Sequence, residues 1–390
     1  MIKKSKLAAL LLCGTIMAAC TQEVQLNIIP QPQQVEVAKG YFTLNDNVAI
    51  KGNAEFEVAY LKEKLAKAAG VQTNDNGNKT IEINVDPQST TKEEGYTLSV
   101  TPDKISIIAS TKAGAFYGVQ TLLQMMPEGI YSEEKTVGKI KIPCAEIEDY
   151  PRFGYRGAGL DVSRTFFPLE TIYDFIDWIS YHKINTFHWH ITDDNGWRIE
   201  IKKYPLLTEK GAWRGPDEVL PPSYGSGNKR YGGFYTQEEI KEVVKYAADR
   251  NITIIPEIDM PGHSKSVVET YPHVGCTNEN KTLSVNGEAN NVWCIGKEKN
   301  YEMIEDIVAE LVELFPSKLI HLGGDEVNMD NWKNCPHCQA FMKKMGMKEE
   351  IELLNYFVRR MEKIVNKHGR TLVGWDEIIK GGDLEPSTVV

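Results

Sequence analysis

From about residue 150 onward the chain repeats one pattern. A short, nearly continuous apolar run is followed by a longer stretch with apolar residues three and four apart. Runs of the first kind read as buried strands, and the wider spacing reads as amphipathic helices. Strands are expected at 155–161 (YRGAGLD), 185–192 (NTFHWHIT), 252–259 (ITIIPEID), 318–326 (KLIHLGGDE) and 371–377 (TLVGWDE). One helix should open with Pro168 at its first position and run to His182, burying Leu169, Ile172, Phe175, Ile176 and Ile179. A second follows Thr236, which forms a capping box with Glu239. Further helices are expected at 299–315 and 350–367, and a long Gly-, Pro- and Tyr-rich loop precedes residue 235.

Residues 24–147 are patterned differently. The segments YFTLND, VAI, TIEINV, YTLSV and KISIIAS carry strand-like alternation, and 55–69 and 112–126 carry helical spacing. These imply a small α+β domain, and its lack of any cluster of catalytic residue types gives it a scaffold role. The stretch EIEDYPRFGYRG marks the boundary, near residue 150.

Strand–helix repeats with near-continuous apolar strands imply a parallel sheet covered by helices, closed as a barrel or open and doubly wound. No G-x-G-x-x-G follows the first strand, which disfavours nucleotide binding. Every strand instead ends in acids: Asp161, Asp193, Asp259, Asp325 with Glu326, and Asp376 with Glu377. Chemistry at the C-terminal ends of all strands is the arrangement of a (β/α)8 TIM-type barrel. Five complete units can be counted, and Val389 and Val390 open a sixth, so residues 150–390 are expected to form an incomplete barrel whose C-terminal strands are missing.

The composition, 42% hydrophobic and 25% charged over 390 residues, is globular. A net charge of −10 with no basic run argues against a nucleic-acid partner. At the N-terminus, Lys3, Lys4 and Lys6 precede an apolar stretch and then Ala18, Ala19 and Cys20, the pattern of an export signal. The Met-Ala-Ala-Cys ending resembles a bacterial lipobox. It implies lipidation of Cys20, after a signal spanning 1–20, and a place in the periplasm or on the outer membrane of a Gram-negative bacterium. A plain secretory signal cut at the small residues is the alternative. Export permits disulfides. Cys276 and Cys294 flank a polar loop and could staple it, while Cys335 and Cys338, as one isolated C-x-x-C, read as a local disulfide or two thiols rather than zinc ligands.

Four segments carry candidate chemistry. Around the end of the first strand, RGAGLDVSR offers Arg156, Asp161 and Arg164, as a hydroxyl-gripping fork or as an ion pair closing the rim. In FHWHITDDNGW, His188 and His190 share one strand face near Asp193. They could bind a metal, as in a metal-dependent barrel hydrolase, or act as interior hydrogen-bonders that orient acids. PEIDMPGHS supplies Asp259 and His263, which could relay protons between acids. In HLGGDE, two glycines admit backbone angles that could turn both Asp325 and Glu326 toward one ligand. Trp375, beside Asp376, is the best stacking platform among Trp189, Trp197, Trp213, Trp332 and Trp375.

RGAGLDVSR, FHWHITDDNGWRIEI, PEIDMPGHS, HLGGDE and VGWDEI, in this order, resemble the family 20 glycoside hydrolases, the β-N-acetylhexosaminidases. Residues 24–147 resemble the α+β domain that precedes the barrel in that family. The resemblance implies a retaining, exo-acting hydrolase of terminal GlcNAc or GalNAc on glycans, in which the substrate's own acetamido group is the nucleophile. It implies Glu326 as general acid/base and Asp325 as the residue holding the acetamido group. Arg164 would grip the far hydroxyls, and Trp375 would line the acetamido pocket. Asp193 and His263 would form a chain to Glu326, with Asp161, Asp259 and His190 behind them. No metal or other cofactor is implied, and the membrane would be met only through the lipid anchor. The family draws further substrate contacts from strands six to eight, so a non-catalytic sugar-binding remnant is a second expectation for this chain.

Overall fold

The computed structural model describes residues 25–390 apart from 46, 90–91, 224–225, 277–290 and 383. The export signal, Cys20 and most of the loop between Cys276 and Cys294 lie outside these residues.

The first domain is one six-stranded sheet. Its strands run, edge to edge, Gln34–Thr43, Lys141–Asp149, Tyr96–Val100, Lys104–Ala109, Lys79–Val85 and Val48–Lys51. Helices Glu55–Ala69 and Lys112–Gln124 pack on it through Leu61, Leu65, Phe116, Val119, Leu122 and Leu123, all fully buried. Strand Lys141–Asp149 was not expected from the sequence. Its Pro143 breaks the strand signal, and the ladder absorbs it beside a register shift between Val37 and Tyr41.

The second domain is a parallel sheet of five strands in sequence order: Gly157–Asp161, Thr186–Asp193, Thr253–Ile258, Leu319–His321 and Thr371–Val373. Helices Leu169–Tyr181, Gln237–Asp249, Glu298–Leu314 and Ile351–Lys367 alternate with the strands. They bury Ile172 and Ile176, Ile240 and Val243, Ile307 and Leu311, and Leu353 and Val365 in one core with Phe187, Trp189 and Ile254. The Thr236–Glu239 capping box is present in full. Val389 pairs with Val373 in an isolated parallel bridge, donating its N–H to Leu372 O (3.0 Å) and accepting from Gly374 N (3.2 Å).

Several boundaries differ from expectation for local physical reasons. Pro168 caps the first barrel helix from outside, with an extended ψ of 163°, and Leu169 is the first helical residue. The fourth strand stops at His321 because Gly323 and Gly324 take φ of +64° and +92°. The fifth stops at Val373, and Asp376–Gly381 forms a 3-10 turn. Two helices not expected from the sequence, Asp330–Lys333 and Pro336–Met345, lie between the fourth strand and helix Ile351–Lys367. Arg156 is not at the acid-bearing rim. It lies at the opposite end of its strand, where Nη1 and Nη2 meet Glu94 of the first domain at 2.9 and 3.0 Å. Lys183 adds a second tie between the domains, 2.7 Å from Asp149 Oδ2 and 2.9 Å from the Tyr96 hydroxyl.

Candidate active site

The ladder register builds the centre of the site. Glu257 stands opposite His190 on one neighbouring strand and His321 on the other. Its carboxylate is fully buried and takes four polar contacts: His188 Nε2 (2.6 Å), His190 Nδ1 (3.1 Å), His321 Nδ1 (3.1 Å) and Trp375 Nε1 (2.9 Å). Burial works to raise this carboxyl, but the His188 and His321 contacts and the charge of His190 hold it well below the usual carboxylate range. Sequence reasoning passed over Glu257. Its signal was an acid inside an apolar strand, two residues before Asp259 and on the same face. His188 and His190 both contact this buried acid, the geometry of the second of the two roles open to them. Trp375 keeps its ring at the rim, 39% exposed, because its indole N–H is anchored on Glu257. Trp189, Trp197 and Trp332 are core residues, and Trp213 stacks under the Arg230 guanidinium.

A second chain of charges runs outward from Asp193. This carboxylate is 2.6 Å from Arg164 Nη1, and 3.3 Å from both His190 Nε2 and His263 Nδ1. Burial alone would raise it, and His190, His263 and Arg164 bring it down to about 2. Asp161 accepts the N–H groups of Ser163 and Arg164 and contacts the Arg164 side chain at 3.2 Å, so it seats the arginine. His263 carries the chain to the surface, its Nε2 lying 3.4 Å from Glu326 Oε2 and 3.6 Å from Asp325 Oδ2. Asp194, also missed in the sequence, backs the same imidazole at 3.5 Å and is held by the Lys265 N–H and Asn291 Nδ2. Burial disfavours charge on His263, but Asp193 and Asp194 push its pKa up to about 12.

Asp325 and Glu326 reach one imidazole because the backbone before them leaves strand geometry. Gly323, Gly324 and Glu326 all have positive φ, Glu326 at +47°. A side chain at Gly323 has no room, since a Cβ there would lie 1.8 Å from Asp259 Oδ1. Asp259 fills that space beneath the turn and accepts the Gly324 N–H at 3.3 Å. Burial, reinforced by the charges of Asp325 and Glu257, raises its pKa well above the usual value. Glu326 is open to solvent, with 74% of its side chain exposed. Asp325 is half-buried, its pKa raised by burial, and its Oδ1 is enclosed with no hydrogen-bond partner among the described residues.

The charge on His263 has a pH signature. Its folded pKa lies above the unfolded value of about 6.5, so its contribution is complete below that pH and is lost as pH rises toward 12. Asp193 is depressed, so its contribution is present above about pH 4 and is lost as pH falls through about 2. The difference in Tm between the wild type and His263→Asn should therefore be constant from pH 5 to about 6.5 and shrink above it. A difference unchanged to pH 9 would show that His263 is not held as the cation.

Cys276 and Cys294 form no disulfide with each other, and Cys335 and Cys338 are free thiols, the second of the two readings open to them. The four thiols converge on one buried point, and the contacts of 3.5–3.8 Å run between the Cys276/Cys294 pair and the Cys335/Cys338 pair. Spacing along the chain could not show this, because helix Glu298–Leu314 and the fourth strand intervene between the two pairs.

Residues 153–390 match the catalytic domain of glycosyl hydrolase family 20, and residues 25–150 match domain 2 of the same family. The chain belongs to glycosyl hydrolase family 20. A β-hexosaminidase of Porphyromonas gingivalis is 41% identical across the whole of this chain, which spans 51% of that relative. A β-hexosaminidase of Vibrio furnissii is 39% identical over 95% of the chain and 60% of the relative. Among solved structures, the family 20 exo-β-N-acetylglucosaminidase of Vibrio harveyi, in complex with N-acetylglucosamine, superposes with a TM-score of 0.83 at 37% identity. That match covers 93% of this chain and 56% of the other. The β-N-acetylhexosaminidase of Bacteroides fragilis gives 0.77 at 34% identity, covering 93% and 69%. The chain thus spans about half to three-fifths of the curated relatives it matches. Membership in family 20 makes the five-stranded sheet an incomplete part of a TIM-type catalytic barrel, preceded by a small α+β domain.

Proposed function

We propose that this chain carries the acid/base machinery of an exo-acting β-N-acetylhexosaminidase that removes terminal β-linked GlcNAc or GalNAc from glycans with retention. The observation that carries this reading is the turn at Gly323 and Gly324, which sets two acids of different exposure on one charged imidazole. In the proposed reaction the carbonyl oxygen of the substrate's 2-acetamido group attacks C1 and displaces the aglycone, giving an oxazolinium intermediate. Glu326, solvent-accessible and beside His263, gives its proton to the leaving oxygen and then takes one from the incoming water. Asp325 accepts the acetamido N–H and stabilises the positive charge that develops on the ring. Arg164, seated by Asp161 and Asp193, grips hydroxyls of the terminal sugar, and the Trp375 face borders the acetamido group. The named activities of the relatives, and the N-acetylglucosamine bound in the Vibrio harveyi structure, support the substrate class. A lipid anchor at Cys20 would place the activity in the periplasm or at the outer membrane.

A nucleophile built into the substrate makes the acetamido group indispensable. p-Nitrophenyl N-acetyl-β-glucosaminide should be hydrolysed at least about 10³-fold faster than p-nitrophenyl β-glucoside, which lacks that group. Comparable kcat/KM values on the two substrates would remove the substrate-assisted pathway.

A further inference from the structure

We propose that Cys276, Cys294, Cys335 and Cys338 form a four-thiolate site for one structural zinc ion, which clamps the His263 loop of the active site. The four sulfurs lie within 4.8 Å of one another. Three separations are 3.5, 3.6 and 3.8 Å, and three of the four residues are fully buried, with Cys276 7% exposed. Zinc–thiolate bonds of about 2.3 Å in a tetrahedron place sulfurs about 3.8 Å apart. Proximity of all four together, rather than two by two, is what a single central ion requires. Two disulfides would instead favour one partner for each sulfur, yet Cys294 and Cys338 each approach two.

The surroundings are those of a thiolate site. Cys335 and Cys338 occupy the N-cap and first turn of helix Pro336–Met345, where the helix dipole favours negative charge. Gly296 permits the close approach of the two segments, because a Cβ there would lie 2.3 Å from the His337 carbonyl oxygen.

What the site holds gives it a purpose. Between Cys276 and Cys294 the chain returns as Asn291–Trp293, which grips the loop around His263. The Trp293 N–H donates to Pro261 O (2.9 Å), the Trp293 indole to Ser264 Oγ (3.0 Å), and the Ser264 N–H to Asn291 O (2.9 Å). The Asn291 side chain holds Asp194 at 3.1 Å, and the Trp332 indole, next to Cys335, donates to Trp293 O at 2.9 Å. The ion would thus fix two loops of the barrel rim to each other and keep His263 between Asp193 and Glu326. It is a positioning site and takes no part in bond making.

Wild-type full chain, purified without chelator, tests this. Elemental analysis should give about one zinc per chain, and titration with a mercurial should release it in step with modification of the clustered thiols. Metal-free protein kept reduced should melt roughly 10 °C lower and recover on addition of zinc alone. Cys144→Ser, whose thiol is outside the cluster, should retain the metal, and Cys338→Ser should not. The zinc assignment is overturned by metal-free native protein whose intact mass shows two disulfides or four reduced thiols, or by the visible absorption of four-thiolate iron. None of these readouts depends on glycosidase activity, so they stand or fall apart from the proposed reaction.

Discussion

Glu326→Gln is expected to lower kcat/KM for p-nitrophenyl N-acetyl-β-glucosaminide by about 10²–10⁴-fold, the usual contribution of a positioned general acid/base. The fold should be untouched. The side chain is 74% exposed, and its one charged contact among the described residues is the 3.4 Å approach to His263 Nε2. Removing a carboxylate from so open a position costs little stability, so Tm should stay within the scatter of ordinary surface changes. The amide keeps the shape but can neither protonate the leaving oxygen nor deprotonate water, so the limb of the pH profile assigned to the general acid should vanish with the rate. Wild-type kcat/KM in this variant would take Glu326 out of the acid/base role. A rate loss matched by a large drop in Tm would assign it to structure.

The second large effect is expected at Gly323, where no chemistry takes place. Gly323→Ala should cost about 3 kcal/mol or more of stability and reduce kcat by about 10²-fold, the loss that follows from displacing a reacting group by about 1 Å. Two causes add. An L residue at φ +64° pays about 1 kcal/mol for its backbone angle alone. The new Cβ would also lie 1.8 Å from Asp259 Oδ1, on a carboxyl group that is completely enclosed and bound to the Gly324 N–H. Something in the turn must shift, and Asp325 and Glu326 are the residues it carries. Gly346→Ala separates the causes, because Gly346 has φ +72° but open space around it, so only the backbone cost of about 1 kcal/mol should appear. Equal unfolding free energies for the two variants would show that the turn has room to spare and does not aim the acids.

Much of this site could be read without the fold. The period-2 rule put His188 and His190 on one face, and both point at the interior acid. The run of acids at strand ends marked one rim of the sheet, and Asp193, His263, Asp325, Glu326, Arg164 and Asp161 meet there. The failures are equally local. Arg156 and Arg164 belong to one nine-residue motif, but a five-residue strand separates them, so they lie at opposite ends of the sheet. Glu257 went unread because an acid in an apolar run counts as a single interruption when strands are taken one at a time. Its importance comes from partners on three neighbouring segments. Helix Pro336–Met345 was missed because its polar, short sequence offers only a narrow apolar stripe through Cys338 and Met342.

By itself the sequence determined what depends on neighbours along the chain. That includes the periodicities that make strands and helices, the capping box at Thr236, the glycine pair before two acids, and the motif order that marks family 20. Only the tertiary structure decided what depends on residues far apart in the chain. It set Glu257 among three histidines and a tryptophan, placed Asp259 beneath the glycine turn with its pKa raised by burial, and set His263 between Asp193 and Glu326. It also drew four cysteines from two loops to one point. The physical reason is the same in each case. Burial sets the cost of a charge, and whether that cost is met depends on partners that strand register and loop packing bring within about 3–4 Å.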